Sequence, residues 1–314
     1  MPELAPGTSR ATVGFCLALV WVLWGSIYLA IRLVVDEVDP FQAMAQRFLV
    51  AGVILTIIVV VRRGWAGMRV TSSQLGVLVL TGVLLLGLGN GFQALAQVRG
   101  LASGVAALVV AAFPAWAVLL RLVTGDRPSP LTLVGVLVGF VGLVLLVVLG
   151  RGLSGTMPLV AVVLCLGSSI AWTIGSFLQG RLDLPKDVVT IAAYQQLVAA
   201  VCSTLLALGT REQFSIDYSA RAWFAMGYMV VACSIVAFLA FAWLLTHVPL
   251  SLTATHAYAN PVVAVALGWL VLSEPVGLPI LVGGSLVVGS VAMIVNAERS
   301  PLPDAPRLTT PTRG

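Results

Sequence analysis

Long apolar segments recur along the chain, and they limit its possible folds more than any other feature. A helix that spans a bilayer needs about 20 mostly apolar residues, because lipid offers no partner to backbone polar groups. Only 9 % of the 314 residues are charged, against about 25 % in soluble domains. The sequence therefore predicts an all-α membrane protein with about ten transmembrane helices. The predicted spans are residues 12–35, 41–61, 73–98, 101–124, 131–149, 158–179, 188–208, 220–246, 251–273 and 278–295.

An internal repeat divides the chain into two halves. Trp172 follows Trp24 by 148 residues, and Glu274 follows Asp126 by the same distance. Duplicated halves of about five helices are a recurrent transporter architecture. The expected divisions are a disordered cytoplasmic N-terminus (1–11), a first repeat (12–149), a linker (150–157), a second repeat (158–296) and a disordered cytoplasmic tail (297–314).

Basic residues predict the orientation, because cytoplasmic loops of membrane proteins are enriched in Lys and Arg. With the N-terminus inside, most of the loop arginines and Lys186 lie on the cytoplasmic side. The opposite side still holds Arg211 and Arg221, which is the weak point of the assignment. We expect a multi-pass plasma-membrane protein, of the bacterial inner membrane, with both termini in the cytoplasm.

The sequence lacks the motifs of several functional classes of protein. No nucleophile, phosphate-binding or zinc-binding motif occurs, so we expect no enzyme, no cofactor and no metal. The net charge of +5 comes largely from loops and tails, which argues against a nucleic-acid partner. The four cysteines lie in apolar segments without metal-ligand spacing and are interpreted as packing residues. The expected partners are a small-molecule substrate and the lipid bilayer, for a monomer or a homodimer.

Arg47 is the most unusual residue of the predicted helices. It follows Pro40 by seven residues, which places it roughly 10 Å into the second helix. A charge at the bilayer centre costs about 2.5–3.5 kcal/mol on insertion scales, so it needs partners. One interpretation is a structural arginine held by helix-end carbonyls and Gln46, or reaching outward to the interface. The other is a contact for a substrate carboxylate or phosphate.

Amide side chains share one face of the third helix. Asn90, Gln93 and Gln97 are spaced i, i+3 and i+7. Hydrogen bonds between helices would explain them. Lining of a cavity for a neutral or zwitterionic solute is the alternative that we favour.

Aromatic residues mark equivalent places in the two halves. Trp24 and Tyr28 lie one turn apart in the first helix, and Trp172 is the counterpart of Trp24 in the sixth. Such stripes also serve as packing or interfacial anchors. The two tryptophans predict the walls of a central cavity.

The ninth predicted helix carries polar groups beside a proline. His256 and Asn260 share one face, and Tyr258 lies on another. Histidine titrates near physiological pH, so His256 could carry protons, although a hydrogen-bonded structural role is the alternative. Pro261, and Pro114 in the first half, each leave one carbonyl without its helical N–H, and such groups are tolerated beside a cavity. We expect both prolines to mark helix breaks or gates.

Helix ends and small residues have simpler interpretations. Asp126 and Glu274 are predicted to cap the helix that follows each of them, or to meet an arginine. Close helix packing explains the small residues of the fifth and tenth helices. These are Gly135, Gly139, Gly142, Ser285 and Gly289.

The motifs together resemble one family. The segment from Trp24 to Arg32, then Pro40 and Arg47, is similar to the opening of EamA-type members of the drug/metabolite transporter superfamily. The Pro-to-acid endings of both halves are similar to that family as well, although Asp126 stands where glutamate is usual. The resemblance implies two inverted five-helix repeats around a central cavity and alternating access.

The resemblance also implies a function. We expect a secondary active transporter that exports a small amino-acid-like metabolite or toxic compound, with proton coupling at His256 as a further hypothesis. A facilitator or exchanger that imports a metabolite is the alternative, followed by a non-transporting receptor or assembly subunit. The expected substrate-binding residues are Trp24, Tyr28, Arg47, Asn90, Gln93, Gln97, Trp172, His256, Tyr258 and Asn260.

Overall fold

The structure is a bundle of long helices. The computed structural model describes residues 9–125, 128–154, 158–179, 181–247 and 256–299. Within these residues we number ten helical spans. The first five are α1 (Arg10–Val35), α2 (Pro40–Arg63), α3 (Ser72–Val98), α4 (Ser103–Val110 and Phe113–Val123) and α5 (Pro130–Ser154). The second five are α6 (Leu159–Gln179), α7 (Val188–Gly209), α8 (Ala220–Tyr228, Met229–Val236 and Ala237–His247), α9 (His256–Leu272) and α10 (Ile280–Gly284 and Ser285–Arg299).

These spans confirm the predicted all-α membrane fold. Seven described helices are long and apolar enough to cross a bilayer, and three shorter apolar helices accompany them. Three ends differ from expectation. α1 already begins at Arg10, α5 continues to Ser154, into the expected linker, and α10 continues to Arg299, into the expected tail. The expected N-terminal tail up to residue 8, Asp126, the expected start of the ninth span (251–255) and the tail beyond residue 299 lie outside the described residues.

The packing of the helices shows the repeat directly. α2 packs along α7, and α5 packs along α10, so each of these helices meets its own counterpart. α1 lies between α8 and α9, and α6 occupies the equivalent place between α3 and α4. Because each half has an odd number of spans, the second half runs in the opposite sense through the bilayer. The two halves are therefore inverted repeats.

The fourth span is interrupted rather than continuous. Its first segment ends at Val110, and the second begins at Phe113, with Pro114 in its first turn. Proline has no N–H to donate to the carbonyl four residues earlier, which here belongs to Val110. The hydroxyl of Ser169 on α6 donates to that carbonyl at 3.2 Å. The chain therefore breaks just before Pro114, and a neighbouring helix satisfies the free carbonyl.

Acidic residues join the halves at one end of the bundle, which we call the Asp36 end. Glu212 accepts from the backbone N–H of Gln42 at 2.8 Å, at the start of α2. Glu37 accepts from the hydroxyl and the N–H of Ser219, before α8, and these bonds lower the pKa of Glu37. Burial raises the pKa of Glu212 instead. The connections at this end include residues 36–39, 99–102, 210–219 and 273–279.

Glu274 is the third acidic residue that joins the halves at the Asp36 end. It caps a different helix from the one that the sequence predicted. Its carboxylate accepts from the N–H groups of Ser103 at 2.8 Å and Gly104 at 3.2 Å, and from the Ser103 hydroxyl at 2.9 Å. It therefore caps α4 in the other half, and not the helix that follows it. The physical reason is that α9 packs against the first segment of α4, which brings Glu274 to the unsatisfied N–H groups of that helix.

Replacing Glu274 tests this cross-capping. We expect Glu274→Ala to lower the free energy of unfolding by about 0.5–2 kcal/mol, the usual range for loss of an N-cap. Asp217→Ala is the control, because it removes the same charge from an exposed residue at the same end. Thermal unfolding in detergent compares the two, and equal stability of both variants and the wild type would contradict the capping role.

Small residues on α5 allow α10 to approach closely. A Cβ atom added to Gly139 would lie 2.6 Å from the Ser290 hydroxyl oxygen, and one added to Gly135 would lie 2.8 Å from the Ile294 side chain. Gly142 is equally close to its neighbours on α10, at 2.8 Å. These three glycines therefore have the packing role that the sequence predicts.

On α10 itself the close contact is made at a different residue from those expected. A Cβ atom at Gly283 would lie 2.7 Å from the backbone nitrogen of Leu146. Ser285 is exposed, and Gly289 has open space around it. The predicted packing role of Ser285 and Gly289 was wrong, because these residues face away from α5.

Two glycines of α10 give a matched test of this interface. We expect Gly283→Ala to destabilise the protein by about 1–3 kcal/mol, because the new methyl group meets backbone atoms that cannot rotate away. Gly289→Ala should be neutral or slightly stabilising, since alanine is the better helix former. Midpoints of thermal unfolding in detergent measure both, and an unchanged midpoint for Gly283→Ala would exclude the close contact.

Candidate functional site

A cavity lies at the centre of the bundle, between the two repeats. Its volume is about 110 Å³, counted as the space open to the centre of a water molecule. A single water needs about 10–15 Å³ by this measure, so the cavity has room for a small solute. Eight of the ten described spans contribute to its wall. The lining residues are Trp24, Ile27, Tyr28, Arg47, Phe48, Leu86, Gly89, Asn90, Gln93, Ala107, Val110, Ala111, Phe113, Ser168, Trp172, Gln196, Cys233, Ser234, Phe238, His256, Asn260 and Pro261.

Arg47 is the one permanently charged group among these described lining residues. The residue is only 4 % exposed. Its Nε donates to the Ser234 hydroxyl at 3.0 Å, and its Nη1 donates to Oδ1 of Asn90 at 3.2 Å. The sulfur of Met44 lies 3.8 Å from the same Nη1. Side chains from α2, α3 and α8 therefore hold the guanidinium group.

The partners expected for Arg47 from the sequence are different ones. Gln46 donates to the carbonyl of Ser215 at 2.9 Å and accepts from the hydroxyl of Tyr218 at 2.8 Å. It therefore turns toward the Asp36 end and away from Arg47. The expectation of Gln46 and helix-end carbonyls as partners of the arginine was wrong, because adjacent residues of a helix face different directions.

Two glutamines present unused hydrogen-bonding atoms beside the cavity. Gln93 is 6 % exposed and Gln196 is 2 % exposed. Nε2 of Gln93 and Oε1 of Gln196 have no hydrogen-bond partner among the described residues. Leaving such a group buried without a partner costs about 1–3 kcal/mol. Two residues of the lining thus each hold one buried polar atom without a partner among the described residues.

Aromatic rings from both repeats form one wall of the cavity. Trp24 and Trp172 meet edge to face, with ring centroids 6.4 Å apart. The ring of His256 lies 5.3 Å from Trp24 and 5.5 Å from Phe241. The indole N–H of Trp24 donates to the carbonyl of Cys233 at 3.2 Å, which fixes the ring against α8. The predicted pairing of the two tryptophans across the repeats is therefore present.

Irregular turns in α3 and α8 explain why backbone carbonyls are available at the cavity. Such π-helical turns alter the regular hydrogen-bond ladder, and they occur often at functional sites. Side chains from neighbouring helices bind carbonyls in or next to these turns. Gln196 donates to the carbonyl of Ser234 at 2.9 Å, and Ser168 donates to that of Gly89 at 2.5 Å. The widened turns are Val83–Leu88 in α3 and Met229–Val236 in α8.

Of two other predicted site residues, Asn260 lies at the cavity and Gln97 does not. Asn260 lines the cavity, and its side-chain nitrogen, oriented toward two carbonyls, donates to His256 at 3.1 Å and to Trp21 at 3.2 Å. Gln97 is fully buried and is absent from the lining, which corrects its prediction. It lies one turn beyond Gln93, toward the Asp36 end, where its backbone carbonyl accepts from Arg32 at 2.7 Å.

Three predictions concern Tyr258 and the two prolines. Tyr258 belongs to α9 and Pro114 to α4, but both side chains lie outside the described part of the structure. Pro261 lies inside α9, which continues through it, so the expected break at this proline is absent. The helix tolerates the proline ring here because it lies next to the cavity.

Sequence reasoning missed Ser234 and Gln196, which hold the centre of the site together. Ser234 lies in an apolar run, and a single hydroxyl there carries little signal because it can bond to its own helix. Gln196 follows Gln195 directly. Only one of two adjacent residues can face a given direction on a helix, and Gln195 bonds to Thr81 and Gln179 instead.

Two buried serines give a matched test of the Arg47 network. We expect Ser234→Ala to destabilise the protein by about 1–3 kcal/mol, because the buried guanidinium loses a hydrogen-bond acceptor. Ser203→Ala is the control, since that hydroxyl is also buried but has no partner among the described residues. It should leave stability unchanged or raise it. Thermal unfolding measures both, and equal effects of the two substitutions would contradict the assigned contact.

The chain is similar in sequence to known proteins, and one family model matches both of its halves. The model of the EamA-like transporter family matches residues 12–148 and again 159–296. The uncharacterized inner membrane transporter YedA of Escherichia coli is 33 % identical over 253 residues, which cover 80 % of each chain. An uncharacterized transporter of Archaeoglobus fulgidus is 26 % identical over 279 residues, covering 88 % of this chain and 94 % of its own.

A solved crystal structure shares the architecture. It aligns with a TM-score of 0.65 at 19 % sequence identity, and the match covers 93 % of this chain and 100 % of the other. This likeness concerns the fold alone. The duplicated family match and the similarity to the Escherichia coli relative extend over most of the sequence. The chain belongs to the EamA-like transporter family, as a multi-pass membrane protein of two repeats.

Proposed function

We propose that the protein is a secondary transporter that exports a small amino-acid-like metabolite through the central cavity by alternating access. The observation that carries the proposal is the cavity itself, which lies between two inverted repeats and combines aromatic walls with polar side chains. Binding sites of transporters with inverted repeats lie at the repeat interface near the bilayer midplane. This proposal includes substrate-binding roles for Trp24, Tyr28, Arg47, Asn90, Gln93, Trp172, His256 and Asn260.

The polar contacts between the halves support a mechanism of alternating access. Glu37, Glu212 and Glu274 each reach from one repeat to a helix start in the other, at the Asp36 end. These contacts lie at the end of the bundle, so they can separate while the apolar packing within each repeat stays intact. We propose that they release when the cavity opens toward this end.

Location and direction are part of the same proposal. The relative from Escherichia coli is named an inner membrane transporter, and the basic loop residues favour cytoplasmic termini. We place the protein in a bacterial inner membrane in that orientation, so that the Asp36 end faces outward. An importing facilitator or exchanger and a receptor without transport activity are the alternatives that the experiment separates.

Flux through purified protein tests the proposal. Liposomes containing the protein receive a mixed pool of amino acids and related metabolites, and mass spectrometry measures which solutes cross, with and without a pH gradient. We expect selective movement of one class. Trp172→Ala should reduce it about tenfold or more, because an aromatic side chain buried against a solute contributes about 1.5–3 kcal/mol. Trp65→Ala is the control, since Trp65 is 74 % exposed.

The same assay separates the alternatives. Movement that a pH gradient drives uphill establishes an active transporter, and movement indifferent to any gradient indicates a facilitator or exchanger. His256→Gln tests proton coupling at this residue, and an unchanged response to the gradient would exclude it. Folded protein that moves no solute, together with a partner that co-purifies in stoichiometric amounts, would favour the receptor instead.

A further inference from the structure

A second cavity lies at the Asp36 end of the bundle. Its volume is about 250 Å³ by the same measure as that of the central cavity. Connecting segments of both repeats line it, and they contribute Asp36, Asp39, Gln213 and Ser215. Because these four residues are exposed, water reaches this space from outside the bundle. We call it the end cavity.

Two helices of the first repeat run from one cavity to the other. On α2, Gln42 lines the end cavity and Arg47 lines the central cavity. On α3, Val98 lines the end cavity and Gln93 lines the central one. The two residues of each pair are five positions apart, which is about 7.5 Å along a helix axis. Less than two helical turns therefore separate the cavities.

Buried apolar side chains from both repeats occupy this interval, and we call five of them the barrier. Ile31, Val34 and Met44 come from the first repeat, and Met226 and Met229 come from α8 in the second. Along the chain, each lies between a residue that lines one cavity and a residue that lines the other. All five are at most 4 % exposed and belong to one hydrophobic cluster. The barrier therefore closes the path between the cavities by side-chain packing across the repeats.

Gln97 places a polar group in this apolar interval. The residue is 0 % exposed, and neither Nε2 nor Oε1 has a hydrogen-bond partner among the described residues. It follows Gln93 by one turn and precedes Val98, so on α3 it lies between the two cavities. A buried amide without partners destabilises the arrangement that buries it. Separation of the repeats at this end would give the amide access to water.

We infer that the barrier is the gate between the two cavities, and that Gln97 favours the opening of this gate. The two methionines of α8 then move away from the first repeat, the cavities join, and a solute leaves through the end cavity. Methionine suits such a layer because its side chain repacks readily. This inference rests on the proposed function, since it takes alternating access as given. It adds the position of the gate and a side chain that biases it.

Thiol labelling tests the gate without any solute. Ala111→Cys reports from the central cavity, which Ala111 lines, in a chain whose four native cysteines are replaced by alanine. Asp217→Cys, at an exposed residue of the Asp36 end, identifies the side of a membrane vesicle on which that end lies. An impermeant thiol reagent is added on this side. We expect Ala111→Cys to label about tenfold or more slowly than Asp217→Cys, because a minor open state holds about 0.1–10 % of the molecules.

Truncation of the barrier should open the path. We expect Met229→Ala to raise the labelling rate of Ala111→Cys about tenfold, because only the closed gate loses buried packing. Met293→Ala is the matched control, since it removes the same side chain from α10, outside the lining of both cavities. It should leave the rate unchanged. If Met229→Ala does not fold, Met226→Ala takes its place.

Replacement of the unpaired amide should have the opposite effect. We expect Gln97→Met to slow the labelling of Ala111→Cys about fivefold or more, because the closed gate no longer buries an unsatisfied amide. The midpoint of thermal unfolding in detergent should stay the same or rise. Gln42→Met is the control, since Nε2 of the buried Gln42 donates to the carbonyl of Ser215 and to the hydroxyl of Tyr218, both at 2.5 Å. That variant should unfold at a lower temperature.

The outcomes separate the two proposals. Equal labelling of Ala111→Cys and Asp217→Cys, or equal rates in Met229→Ala and Met293→Ala, overturns the gate. A loss of stability in Gln97→Met as large as that in Gln42→Met shows that the Gln97 amide is paired in the closed state, and it overturns the role of this residue. Labelling that follows these expectations without flux of any solute refutes the proposed transport alone. Selective flux with labelling that neither Met229→Ala nor Gln97→Met alters refutes the gate alone.

Discussion

A single guanidinium group in an apolar bundle dictates the polar structure around it. Arg47 lies on α2, and its oxygen partners come from α3 in the same repeat and from α8 in the other. A charge at this depth is stable only where polar side chains converge on it. The convergence requires the two repeats to meet at this point, and it leaves space between them that side chains do not fill. The arginine and the cavity are therefore consequences of one arrangement.

The physics of the bilayer explains how much of the fold and of the cavity could be predicted from the sequence. Because spanning segments must satisfy their own backbone hydrogen bonds, long apolar runs could only be helices, and the repeat of 148 residues then paired them. Polar residues in such helices face the interior of the bundle, so most of them could be placed at the cavity from position alone. The residues correctly placed there are Trp24, Tyr28, Arg47, Asn90, Gln93, Trp172, His256 and Asn260.

The predictions from sequence failed where the role of a residue depends on neighbours that are distant in the sequence. Gln97 shares a helix face with Gln93, but one turn along α3 the cavity ends and packed helices begin. Glu274 precedes α10, yet it caps α4, because the approach of α9 to α4 is a property of the assembled bundle. Ser234 gains its importance from Arg47, which is 187 residues away. No local pattern encodes such contacts.

The widened turns of α3 and α8 follow the internal symmetry of the chain. A π-turn holds one residue more than an α-turn, so each widened region records an extra residue within a helix. Shifted by the repeat offset, the region Val83–Leu88 falls within Met229–Val236. The widened turn of α10 has its counterpart in α5, which is a regular helix there. The two repeats therefore widen the same span at the same place, beside the cavity, whereas the fifth spans differ, because only α10 has a widened turn.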